Sequence, residues 1–219
     1  MRYCPPFFRP PGGFLRYAFC QWRTRDGRPG TRVPEPFRDW LVATGSLTAR
    51  MRRHCPQTFR VHPLAQGWRR PALEEAWRLG LRCRRAVWTR EVALCCDDHP
   101  WILARTVIPA LSLRGGNDVL RGLGTRPLGE LLFRGGGSGR DPLEVARLRG
   151  GDWLARHLAP AAGSSLAGCW SRRRVHYLRG RPLMVTEVFL PALFHQTAAL
   201  PRQESTEEEA RGHDRRMAC

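Results

Sequence analysis

The sequence predicts an α+β domain built around an antiparallel sheet, and three observations carry that expectation. Residues 87–96 and 101–109 are rich in β-branched and apolar side chains, with the turn chemistry Asp97-Asp98-His99-Pro100 between them. Residues 174–178 and 183–190, split by Arg179-Gly180-Arg181-Pro182, repeat the arrangement near the end of the core. Short helical patterns surround both hairpins, and 219 residues suffice for one substantial core but would cramp two.

Residues 1–35 are rich in proline, glycine and arginine and show neither helical nor strand periodicity, so a disordered extension is expected there. The domain is expected over 36–200. It opens with a helical pattern at 37–42 that stops near Gly45, after which Ser46 can cap a second helix through His54. Residues 58–68 predict a strand, and 73–79 a short helix with Glu74 and Glu75 in its first turn. The first hairpin follows. Thr125 is placed to cap a helix over 127–133, whose first turn leaves backbone N–H groups that could hold an oxygen-bearing ligand. Asp141-Pro142-Leu143-Glu144 fits a capped helix start and a strand equally well. Residues 159–167, rich in alanine, glycine and serine, predict a flexible loop before the second hairpin. Residues 201–219 are polar and charged and have too few apolar side chains to offset the entropy of ordering, so a disordered tail is expected.

The formal charge is +18 and every basic side chain is arginine, a pattern of coding bias in which arginine abundance alone says little about selected guanidinium chemistry. The excess is spread along the chain, since residues 37–200 hold 26 arginines and 12 acidic residues, a difference of +14. Anionic ligands are favoured. No basic block is interleaved with aromatics in a nucleic-acid reading motif, so no specific nucleic-acid partner is expected. The eight cysteines lack the spacing of a disulfide framework, and neither a secretory segment nor a run approaching the ~18 residues of a membrane span is present, which points to a cytoplasmic protein.

Glu187 stands inside the apolar run 182–191. Strand alternation puts it on one face with Leu183, Val185 and Phe189, where a carboxylate is costly without partners. Arg90 is in phase with Val92 and Leu94, so the two charges can point into one interior, as a ligand pocket or as a structural ion pair. Other motifs favour ordinary explanations. Adjacent Cys95 and Cys96 face opposite sides of a strand, so with Asp97, Asp98 and His99 they predict a strand and turn, and no metal. The glycine run 135–139 lacks the lysine and capped helix of a phosphate loop. No serine lies in a nucleophile elbow, and no histidine spacing suggests a triad.

Read together, Asp39-Trp40-Leu41, Gly45-Ser46-Leu47-Thr48-Ala49-Arg50, Trp88-Thr89-Arg90-Glu91-Val92, residues 101–109, Leu123-Gly124-Thr125-Arg126-Pro127-Leu128-Gly129 and Thr186-Glu187-Val188-Phe189-Leu190-Pro191 closely resemble bacterial chorismate pyruvate-lyase, in order and approximate spacing, over roughly 37–192. The resemblance implies a single α+β domain with a six-stranded antiparallel sheet and flanking short helices enclosing a buried ligand site. It implies conversion of chorismate to 4-hydroxybenzoate and pyruvate as a first step of ubiquinone biosynthesis, by a monomer with no metal or organic cofactor. The family's ligand-contacting arginine falls on Arg90 and its acidic residue on Glu187, with two further contacts on Leu47 and Leu128. The Leu47 position resembles a methionine in some members.

These parts suit the chemistry, because chorismate is a dianion whose ring becomes aromatic when the enolpyruvyl ether leaves, so positioning is the main requirement. Arg90 is expected to take the ring carboxylate bidentately. Glu187 is expected to hold the 4-hydroxyl and either assist transfer of the adjacent ring proton or only position the substrate for intramolecular hydrogen transfer. Arg105 is the candidate for a second anion contact, its bland alternative being a sheet-edge arginine. The rival expectation is a non-catalytic domain of the same fold that senses a small carboxylate ligand; the region before residue 37 shows no paired helices of a DNA-reading domain.

Overall fold

A computed structural model of the protein describes residues 20–24, 33, 37–43, 45–82, 85–133 and 139–198. In chain order the elements are β1 (Arg23–Thr24), α1 (Phe37–Val42), α2 (Leu47–His54), β2 (Phe59–Arg69), α3 (Leu73–Arg78), β3 (Val87–Cys96), β4 (His99–Pro109), α4 (Leu128–Phe133), β5 (Glu144–Arg147), α5 (Trp153–Ala162), β6 (Trp170–Leu178), β7 (Arg181–Phe189) and α6 (Pro191–Ala198), with two 3₁₀ turns at Ala110–Leu113 and Asp118–Gly122. The strands form one sheet in the order β1-β5-β6-β7-β4-β3-β2, every pair antiparallel. Six of them are the expected sheet, and the two-residue β1 adds a short edge beside β5.

Local chemistry accounts for the element ends. The Ser46 side chain accepts from the Ala49 N–H at 3.3 Å and caps α2, and the Glu75 carboxylate reaches back to the Ala72 N–H at 2.8 Å to start α3. The β6–β7 hairpin closes through Arg179 and Gly180 with φ of +50° and +72°, the pair of positive angles that matches strand twist. At the other hairpin Asp97 takes φ +49° while its carboxylate accepts from the Thr58 N–H at 3.1 Å. Residues 144–147 form a strand, which decides between the two readings of that segment: Arg23 and Thr24 pair with it on one side and β6 on the other.

Two expectations need correction. Residues 159–167 are not simply a loop, because α5 runs through Ala162. Asp152 is its N-cap residue, its carboxylate turned back to accept from the N–H of the preceding Arg149 at 2.7 Å, and Gly163 ends it at φ +64°. Its Leu154, Ala155 and Leu158 are buried, so tertiary packing outweighs the alanine and glycine content that suggested a loop. Cys55 and Cys96 form a disulfide with Cα atoms 5.6 Å apart, although their spacing suggested no such framework. Cys96 and the buried thiol Cys95 do face opposite sides, and the bridge takes Cys96 out of any metal set. The expected extension over 1–35 and tail over 201–219 lie almost wholly outside the described residues, as does most of the glycine run 135–139.

The sheet is buried on both faces. On one, α1, α2 and α6 pack Leu41, Met51 and Leu193 against Leu94, Ile102 and Phe189. On the other, α5 packs Leu154 and Leu158 against Leu103 and Val188. This is why both phases of β3, β4 and β7 are apolar: central strands covered on two sides need no polar alternation. Among the described residues no helix is long and apolar enough to cross a membrane.

Candidate active site

A cavity enclosing about 800 Å³, counting the solvent at its mouth, lies between the first of these faces and the helices α2 and α4. Its floor is the sheet: Arg90, Val92 and Leu94 from β3, Ala104 and Thr106 from β4, Val185 and Glu187 from β7, and Arg172, Arg174 and His176 from β6. Leu47 and Thr48 of α2 and Leu128, Gly129 and Leu132 of α4 form the cover. The two helices come close at Gly129, where a Cβ would lie 3.1 Å from Ser46 Oγ, so a side chain there would crowd the Ser46 hydroxyl.

Arg90 is 3 % exposed and has no carboxylate partner among the described residues. Its Nη2 donates to the carbonyls of Gly124 and Arg126 at 2.8 and 3.0 Å, and its buried Nε has no partner among the described residues. Burial holds its pKa below the ordinary arginine value, since no anion compensates the lost hydration. A guanidinium kept in place by neutral carbonyls and still owed an anion is suited to a carboxylate ligand. The α4 N-terminus follows directly on the carbonyls that Arg90 holds, so one residue ties the central sheet to the cavity's cover.

Glu187 also enters the cavity, in the row next to Arg90, since Val92 pairs with Ala104 and Ala104 with Glu187. Its protein partner is Arg172, which lies directly opposite on β6 and donates through Nε to the carboxylate. Arg172 Nη1 points the other way, to the carbonyls of Trp40, Leu41 and Ala43 at 3.0, 3.4 and 3.1 Å, and so satisfies the C-terminal carbonyls of α1. Glu187 is therefore held in position by a side chain that is itself fixed by a helix end.

Leu47 and Leu128, 5 % and 8 % exposed, are brought together with Arg90 and Glu187 around this cavity. Arg105 is not. It alternates to the opposite sheet face, where Nε and Nη2 reach the Glu75 carboxylate at 2.6 and 3.0 Å and Nη1 donates to Glu91. Trp153 stacks under its guanidinium at 5.0 Å, and His157 lies 2.6 Å from Glu91. Burial pushes the Glu91 carboxyl up, but the hydrogen bond from His157 and the Arg105 charge outweigh it and hold Glu91 below its ordinary range. The second anion contact expected of Arg105 is thus replaced by a saturated internal network. Its neighbour on that face, Arg173, pairs with Glu144, which also accepts from Arg78 Nε at 2.8 Å.

Arg172, Arg174 and His176 were not singled out from sequence as site residues. The signal was present, since they alternate along one strand, but reading that strand from residue 174 instead of 170 left Arg172 out of phase with anything.

The chain matches the family model for chorismate lyase over residues 26–199. It is 44 % identical over 175 residues to a protein of Aromatoleum aromaticum named "probable chorismate pyruvate-lyase", covering 78 % of this chain and 92 % of that one. It is 40 % identical over 162 residues to the chorismate pyruvate-lyase of Yersinia enterocolitica, covering 73 % and 84 %. Among solved structures, PhnF of Mycobacterium smegmatis matches with a TM-score of 0.48 at 18 % identity, over 69 % of this chain and 66 % of that one. With its family model spanning six of the seven strands, the cavity and every helix around it, this chain belongs to the chorismate lyase family.

Proposed function

We propose that the protein is a chorismate pyruvate-lyase, converting chorismate to 4-hydroxybenzoate and pyruvate. The observation that carries this reading is a buried Arg90 without a carboxylate partner among the described residues, facing the same cavity as a carboxylate, Glu187, that is fixed by Arg172. In the proposed reaction the ether bond between the ring carbon and the enolpyruvyl oxygen breaks, the hydrogen on the carbinol carbon beside it leaves the ring, and one proton is added to the methylene, which becomes the methyl of pyruvate. The ring gains aromaticity, so the protein's task is to hold the substrate in the reactive conformer and to exclude water.

Arg90 takes the ring carboxylate, exchanging none of its carbonyl bonds to do so because its Nε is still open. Glu187 accepts from the 4-hydroxyl and orients the neighbouring ring C–H. Leu47 and Leu128 press on the ring from the cover. The same proposal makes the protein a cytoplasmic monomer that uses no cofactor and opens ubiquinone synthesis. It is supported by the family match.

The test is to incubate the purified protein with chorismate and follow 4-hydroxybenzoate and pyruvate together. Equimolar formation of both above the spontaneous rate is expected. Folded protein that forms neither would leave a carboxylate-sensing role in place of catalysis.

A further inference from the structure

One end of the sheet presents exposed apolar side chains on a platform held together by arginines. There β2 ends at Trp68 and Arg69, β3 begins beside them, β4 passes into the two 3₁₀ turns, and the β6–β7 hairpin reverses. Four side-chain hydrogen bonds pin the two turns and the loop between them. Buried Asn117 donates to the carbonyls of Ser112 and Leu178, both at 3.0 Å, Arg181 to that of Leu111 at 2.9 Å, and Arg179 to that of Gly115 at 3.2 Å. Arg179 also lies so close over Gly116 that a Cβ there would meet its Nη1 at 2.1 Å. The loop so fixed holds Leu111 60 % exposed, with Val119 exposed on the next turn. Trp68, 44 % exposed, continues the surface: its ring stands edge-on to Trp88, over which the Arg121 guanidinium lies at 5.1 Å.

Charge is distributed unevenly between the two ends of the sheet. Segments 68–70, 85–88, 108–122 and 178–182, which meet at this end, hold seven arginines and one acidic residue, Asp118. The opposite end is mixed, since its β3–β4 turn carries Asp97 and Asp98, and Arg60 lies 3.7 Å from Asp98. Single exposed apolar side chains are ordinary, but three on one arginine-rich face fit a partner that is both anionic and apolar. We propose that this end docks on an anionic membrane surface. Leu111, Val119 and Trp68 enter the boundary between headgroups and acyl chains, where indole rings settle, and the arginines rest their stems on it while their guanidinium groups reach lipid phosphates. A nucleic acid would supply phosphates as well, but it offers Leu111 and Val119 no apolar layer to enter. The inference is independent of the lyase reading, because Leu111, Val119, Trp68 and these arginines lie outside the cavity lining.

The experiment is co-sedimentation of the full chain at physiological salt with vesicles of phosphatidylcholine alone and of phosphatidylcholine mixed equally with phosphatidylglycerol. The parent is compared with Leu111→Ser, Arg114→Gln and Arg60→Gln, all at exposed positions that leave the fold in place. The parent is expected to partition onto the mixed vesicles and to stay in solution with phosphatidylcholine. Leu111→Ser and Arg114→Gln are each expected to weaken that partition about threefold to tenfold. Arg60→Gln removes the same charge from the opposite end and is expected to leave it within about twofold, because the surface potential falls off over a Debye length. Equal losses in the two arginine variants with none in Leu111→Ser would reduce the binding to net charge and overturn the docking face. A parent that stays in solution with both vesicles would overturn it outright. So would tight binding of a single-stranded oligonucleotide, unaffected by Leu111→Ser, in place of vesicle binding, which would turn the arginines to nucleic acid instead.

Discussion

Arg172 and Glu187 face each other across the β6–β7 ladder, and the arginine spends its other donor on the carbonyls that end α1. The carboxylate expected to work on substrate is thus also half of a largely buried ion pair, with side chains 7 % and 16 % exposed. Deleting it leaves Arg172 buried without its counter-ion, a loss of about 3 to 5 kcal/mol. Glu187→Ala is expected to lower both turnover and thermal stability. Glu187→Gln keeps an acceptor oxygen for Arg172 but not the charge, and is expected to lose less stability than the alanine variant while turnover falls at least about a hundredfold. Parental turnover in the glutamine variant, measured alongside its melting temperature, would remove Glu187 from the mechanism.

Arg90→Ala removes a buried cation and frees the carbonyls of Gly124 and Arg126 that it holds. Chorismate and 4-hydroxybenzoate are both expected to bind more weakly by about 2 to 5 kcal/mol. Titration calorimetry reads this directly, and unchanged affinity for both ligands would contradict the assignment.

Arg105→Met separates structure from function. The variant leaves Glu75 and Glu91 buried beside each other without their shared cation, so unfolding in urea is expected about 3 to 5 kcal/mol more easily. KM for chorismate in the folded fraction is expected to stay at the parental value, because Arg105 lies on the far side of the sheet from the cavity. A selective rise in KM with parental stability would return Arg105 to the substrate.

Two buried groups give stability opposite pH dependences. Burial pushes the Glu74 carboxyl up to about 6, against the Arg173 charge and the hydrogen bond from Trp22, so the folded protein holds that proton more tightly than the unfolded chain does. Its contribution is fully present below the ordinary carboxylate value and is lost as pH rises through 6; Glu74→Gln is expected to gain up to about 2 kcal/mol at pH 7. His176 is depressed from 6.5 to about 4, so its contribution is present above 6.5 and is lost as pH falls toward 4, up to about 3 kcal/mol. Urea melts between pH 4 and 7.5 on the parent, Glu74→Gln and His176→Leu should show each slope disappear with its own residue.

Reduction of Cys55–Cys96 reopens a loop with a sequence separation of 41, worth about 4 kcal/mol on the chain-entropy account. Reductant is expected to lower the melting temperature of the parent and leave a Cys55→Ala/Cys96→Ala double variant unchanged. Thiol counting on protein quenched directly from cells shows which state the proposed cytoplasmic location maintains, since reducing compartments disfavour such bridges.

The strands, their hairpins and the capped α2 and α3 were legible because each is dictated locally: alternation, turn residues with positive φ, and a side-chain oxygen within reach of a free N–H. Helix α5 was not, because its content of alanine, glycine and proline is neutral and only burial of Leu154 and Leu158 against the sheet makes it form. Arg90 and Glu187 stood out as charges inside apolar strands, and the family resemblance in the surrounding blocks brought in Leu47 and Leu128.

By itself the sequence determined the fold class, the family and the two charges that had to share an interior, since periodicity and motif spacing are properties of the chain. Which charges meet was decided only by the tertiary structure. Arg90 and Arg105 lie on adjacent strands in equally apolar runs, yet the register sends one into the cavity and the other into an internal network with Glu75 and Glu91. In a sheet covered on both faces, alternation says that neighbours point apart but not which side is open. The helices laid over one side, and the strand order that puts Arg172 opposite Glu187, supply that answer.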